Sequence, residues 1–103
     1  MAKIKIRAKE KNGTVTVKSL LKHPMETGNR KDKKTGKKIP AHYITEVICE
    51  INGNKVMTAY LGPGVSKDPY MSFDVKGAKK GDTVKLTWMD NKGESASGEA
   101  IVK

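Results

Sequence analysis

Cysteine occurs once in this 103-residue chain, histidine twice, phenylalanine and tryptophan once each, and acidic residues number 11 against 21 lysines and arginines. A lone cysteine, Cys49, excludes an internal disulfide and the paired thiols of a structural zinc site or a dithiol redox centre. Two histidines, His23 and His42, with that one thiol fall short of the closely spaced ligand sets that mononuclear metal centres use. Aromatic residues make up 5% of the chain, too few for a run of base-stacking platforms. No stretch reaches the roughly 20 apolar residues of a membrane helix. The amino terminus, MAKIKIRAKE, alternates cations with isoleucines and lacks the apolar run of a secretory signal.

What is present is a thin apolar set dominated by Val, Ile, Leu and Met, at 36% hydrophobic residues, under a formal net charge of +10. One core fits a chain of this length, so residues 1–103 are read as a single domain. The charge attracts anions in general, whether acidic proteins, oxyanions or nucleic acid, and does not choose among them.

Periodicity is that of a β protein throughout. Ile4, Ile6 and Ala8 alternate with cations, Asn12-Gly13 marks a tight turn, and Val15 and Val17 follow on one face. Farther on, Tyr43, Thr45, Val47, Cys49 and Ile51 share a face, and Asn52-Gly53-Asn54 turns the chain back into KVMTAYL. GPGVSKDP reads as a loop. Met71, Phe73 and Val75 point inward from the next strand, and Val84, Leu86 and Trp88 from the one after it, before ESASGEAIV closes the series. About seven short strands and no helical period predict an all-β chain, an immunoglobulin-like β-sandwich. Cys49 falls on an inward face, where a thiol is inert, so no nucleophile is nominated.

One stretch breaks the alternation: KHPMETGNRKDKKTGKKIPAHY, from residue 22 to 43. It holds both histidines, and in RKDKKTGKK six of nine positions are basic. Prolines at 24 and 40 bracket it, and long ordered loops of small domains tend to carry function. The segments HPM and HYI are similar to the iron-binding region of superoxide reductases, which use four histidines and a cysteine; a small non-haem iron protein is therefore the alternative reading. The preferred one is a contact loop comprising His23, Pro24, Met25, Glu26, Thr27, Gly28, Arg30, Lys31, Lys33, Lys34, Lys37, Lys38, Pro40 and His42. Its histidines are expected to orient the loop through hydrogen bonds to backbone. No catalytic, cofactor-binding or metal-ligating residue is nominated, and the lysines are read as a charged docking field rather than a nucleic-acid site.

KHPMETGNRKDKKTGKKIPAHYI, LGPGVSKDPYMSF and KKGDTVKLTWMDNKGES together resemble the SoxZ family of bacterial sulfur-oxidation (Sox) systems over nearly the whole chain. The resemblance implies a sandwich that pairs with SoxY as a heterodimer, SoxYZ, in which a terminal-motif cysteine on the SoxY arm carries sulfur intermediates covalently between Sox enzymes. It implies a non-catalytic partner without cofactor, at work in the periplasm and exported with its signal-bearing companion. The ending GEAIVK lacks the glycine-flanked cysteine of the carrier arm. The carrier role is therefore not transferred to Cys49.

Overall fold

Two asparagine-glycine turns set the architecture. In the computed structural model, which describes residues 4–103 and leaves the first three positions of the expected domain outside the described residues, Asn12 and Asn52 adopt φ of 53° and 52°. Two successive left-handed residues give a turn whose twist matches that of paired strands, so each dipeptide closes a two-residue hairpin. The first joins β1 (Ile4–Lys11) to β2 (Thr14–Leu21), with Lys11 opposite Thr14. The second joins β3 (Ile44–Ile51) to β4 (Asn54–Tyr60), with Ile51 opposite Asn54. Three further strands follow: β5 (Tyr70–Lys76), β6 (Thr83–Asp90) and β7 (Ser95–Ile101).

All pairings are antiparallel. One sheet has the order β1-β2-β5 and the other β4-β3-β6-β7, so the seven expected strands form a two-layer immunoglobulin-like sandwich. Its core consists of the inward halves of the alternating patterns: Val15, Val17 and Leu21 from β2, Val47 and Cys49 from β3, and Val84, Leu86 and Trp88 from β6, all essentially without solvent contact. Each aliphatic side chain so buried contributes about 1.5–3 kcal/mol of transfer free energy. Among the described residues Trp88 is the only aromatic in the fully buried set, which is how a chain poor in aromatics still fills its centre.

One face assignment is corrected. Strict alternation put Tyr43 and Thr45 inward with Val47, but the register of β3 against β6 shifts between Ile44 and Glu46. The irregularity reverses the facing of the residues before it. Ile44 enters the core at 0% exposure, while Tyr43 and Thr45 are half-buried and the Thr45 hydroxyl donates to Met89 O at 3.1 Å.

Candidate functional site

The stretch between β2 and β3 leaves the sandwich at His23 and re-enters at His42, so its base lies at the end of β6. Glu26 and His42 exchange backbone hydrogen bonds at 2.6 and 2.9 Å, and Lys31 bridges Lys38 nearer the tip, which makes the segment an irregular hairpin. Asp32 caps the tip turn, its Oδ1 accepting from the Lys34 N–H at 2.7 Å. Arg30 grips Glu26 in a bidentate pair, 2.6 Å at the closest, and that partner holds the Glu26 carboxyl below its ordinary range.

Asp90 is the hub of the base. Its Oδ2 accepts from His23 Nε2 at 3.0 Å and His42 Nε2 at 2.7 Å, while Oδ1 accepts the backbone N–H groups of Lys92 and Glu94 at 3.0 and 2.9 Å. Four bonds occupy the four lone-pair sites of a carboxylate. Burial alone would raise the Asp90 pKa; the hydrogen bonds from His23, the Glu94 N–H, His42 and the Lys92 N–H outweigh it and lower it to about 2. The next residue continues the clamp, since Tyr43 N–H donates to Asn91 Oδ1 at 2.8 Å and Asn91 Nδ2 donates to Ala41 O at 2.9 Å. The His23 ring stands edge-on to both His42 and Trp88, with centroids 4.4 and 4.9 Å away.

The donor atoms of His23, His42 and Asp90 lie within 4.8 Å of one another, the spacing of a possible cation site, and Glu94 Oε2 stands 3.6 Å from His42 Nε2 at its rim. Cys49 is not a member of the cluster. The chemistry of His23 weighs against a metal. Its Nδ1 faces the N–H of Met25 at 3.1 Å and must present a lone pair there, so the hydrogen-bond network assigns the neutral ring's proton to Nε2. A ligating histidine has the opposite arrangement, a metal on one nitrogen and a donated N–H on the other. Placing a cation on Nε2 would drive the proton to Nδ1, against another donor. The cluster is thus built to hold chain segments together.

His23 bonds to backbone, as a loop-orienting histidine is expected to, but the partner that His23 and His42 share is the side chain of Asp90, which the periodic pattern alone does not nominate. The signal was available: Asp90 continues the inward series Val84, Leu86, Trp88, and an acid on a core face requires partners. Two of the expected contact residues are corrected as interior. His23 is 4% exposed and Met25 5%, with Met25 Sδ accepting the Ile44 N–H at 3.3 Å. Gly28 is wedged against Ala41, where a side chain would stand 3.2 Å from the Ala41 Cβ. Pro24, Thr27, Arg30, Lys31, Lys33, Lys34, Lys37, Lys38 and Pro40 are at the surface, Glu26 and His42 half-buried.

A second loop, 61–69, docks beside the first. Asp68 N–H donates to His23 O at 2.9 Å while Asp68 Oδ1 accepts the His23 N–H at 3.0 Å. Between the loops runs a groove of about 660 Å³ with Pro24, Glu26, Arg30, Val65 and Lys67 among its walls. The remaining candidate, Cys49, is buried in β3, and burial, followed by the nearby Glu50 charge, pushes its thiol up to about 11. It is a packing residue at neutral pH.

Among the described residues no helix is long and apolar enough to cross a membrane. No curated protein matches the sequence. The family model for the sulphur oxidation protein SoxZ matches residues 4–101, all but the ends of the chain, and the chain therefore belongs to the SoxZ family of the sulfur-oxidation system.

Proposed function

We propose that the chain is the non-catalytic subunit of the SoxYZ sulfur carrier complex, paired with SoxY in the periplasm and exported with it. The observation that carries this reading is the family match over residues 4–101. The site supports a binding role. The Asp90 carboxylate at its base is saturated by hydrogen bonds from within the chain, and the Cys49 thiol, outside the cluster, is buried and protonated. What it offers to the outside is a pinned hairpin whose tip carries Arg30, Lys31, Lys33, Lys34, Lys37 and Lys38 in the open. A rigid base with a cationic tip favours fast encounter with acidic Sox enzymes or with anionic sulfur adducts on the carrier arm.

The test is co-purification from sulfur-oxidising cells, followed by reconstitution of thiosulfate oxidation with and without the chain. Recovery of SoxY in equal amount, and loss of turnover without the chain, are the expected results. Capture of other proteins with no SoxY would refute the reading. The iron-protein alternative draws on the proximity of His23, His42 and Asp90. It requires stoichiometric iron and a ligand-field spectrum, both absent in the carrier-subunit reading.

A further inference from the structure

The sandwich is zipped along one flank and open along the other. On the zipped flank β1 packs against β7, Glu10 N–H donates to Lys103 O at 2.8 Å, and Lys103 N–H donates to Ala8 O at 3.0 Å. Gly98 permits the approach: a Cβ there would stand 3.1 Å from the Ile4 Cβ. With β1 over β7, the strand orders leave β5 and β4 on the opposite flank, where Val56 and Val75 line one cleft of about 280 Å³. No strand pairing joins β4 to β5 among the described residues. In consequence Met57 and Ala59 of β4, and Met71, Phe73 and Val75 of β5, point between the sheets yet remain half-exposed.

The edges differ in how they are guarded. β1 carries Lys5, Arg7, Lys9 and Lys11 on alternate positions, and β4 is interrupted by a register shift opposite Cys49 and Glu50 that leaves Val56 unpaired. Cations and bulges are the usual defences of an edge. β5 has neither defence over most of its length; it pairs with β2 in unbroken register, and its only charged residues are Asp74, engaged by the Thr16 hydroxyl at 2.8 Å, and the terminal Lys76. Its free backbone groups follow from one bond. Leu21 N–H donates to Pro69 O at 2.8 Å, so with alternation the ladder to β2 uses Met71, Phe73 and Val75. The N–H and C=O groups of Tyr70, Ser72, Asp74 and Lys76 therefore face away from β2.

We propose that β5 is a strand-accepting edge for a partner protein of neutral or negative charge. On the carrier-subunit reading, on which this rests, that partner is the other subunit of the complex. Its extended segment pairs with the outward backbone groups of Tyr70, Ser72 and Asp74 and lays apolar side chains over Met71, Phe73 and Val75, the strand-addition mode in which main chain gives affinity and alternate side chains give specificity. Tyr70, 63% exposed, supplies an aromatic anchor beside the edge. Charge selects against a second copy of this chain, since each carries +10. It selects for acids on the partner, because the outer face beside β5 holds Lys5, Arg7 and Lys18 around Tyr70.

Hydrogen exchange of the full chain, alone and with SoxY from the same organism, tests the proposal together with Ser72→Pro and Ser72→Ala. Proline at 72 deletes an outward N–H and leaves the β2 ladder whole. The expected result is about tenfold or greater slowing of exchange across 70–76 in the complex, and about tenfold weaker binding by Ser72→Pro than by Ser72→Ala at equal thermal stability. Protection confined to 30–38 or to β4, or undiminished binding by a folded Ser72→Pro, would overturn the edge while leaving the pairing intact. If Ser72→Pro does not fold, exchange in the native pair decides alone. Protection of β5 in the isolated chain, with a dimer in sedimentation, would make a second copy the occupant and overturn the choice of partner. Failure to form any complex removes the carrier-subunit reading and the edge proposal with it.

Discussion

His23 Nε2 donates to Asp90 Oδ2 at 3.0 Å across 67 residues of sequence, tying the exit of β2 to the end of β6. Both side chains are buried, at 2% and 0% exposure, so the bond is made where neither partner has water as a substitute. Removing one partner of such a pair leaves the other unsatisfied.

Asp90→Asn is accordingly expected to destabilise the fold by about 2–4 kcal/mol, since an amide keeps the shape but turns a donor toward a histidine N–H. Urea unfolding reads the loss. A change below about 0.5 kcal/mol would show that the clamp is not a stability element.

The same carboxylate sets an acid limb. Its folded pKa is about 2 against an ordinary 3.8, so its stabilisation is fully present above about pH 4 and is lost as pH falls toward 2. The shift corresponds to roughly 2 kcal/mol. Unfolding free energy measured from pH 5 to 2 is expected to fall more steeply for the native chain than for Asp90→Asn; parallel curves would contradict the assignment.

Cys49 is expected to resist alkylation at pH 8 in the folded protein and to react readily in denaturant, because a thiol near pKa 11 is almost wholly protonated there. Mass spectrometry during turnover provides the stronger check. A sulfur adduct on Cys49 would overturn its reading as a packing residue.

Changing Lys33, Lys34, Lys37 and Lys38 together to Gln is expected to leave the melting temperature within a degree or two, as exposed charges contribute little to folding. Association with acidic Sox enzymes is expected to slow about tenfold or more at low salt, with much smaller effects at high salt. If pairing with SoxY collapses instead, and salt alone dissociates the native pair, the hairpin is the main SoxY contact and apolar surface is not.

Titration with zinc or ferrous iron at neutral pH is expected to show no one-to-one binding at the His23, His42, Asp90 cluster, given the proton that Met25 holds on His23 Nε2. Saturable binding that His42→Ala abolishes without unfolding would reverse the tautomer argument.

Local chemistry was enough to specify much of this protein from its sequence. Asn12-Gly13 and Asn52-Gly53 determine two hairpins because only left-handed residues fit their turns, and period-two alternation assigns Val15, Val17, Val47, Cys49, Val84, Leu86 and Trp88 to the interior because one side of each strand must leave water. The basic tip was legible too, as charge needs no fold to be counted. Tertiary structure alone decided the rest. The irregularity beside Thr45 that moves Ile44 into the core arises from pairing with β6, which no local pattern encodes. The convergence of His23, His42 and Asp90 depends on loop closure over 48 and 67 residues. The open flank at β5 follows from which strands meet: β1 finds β7, and β5 is left with half of its hydrogen-bonding groups facing outward.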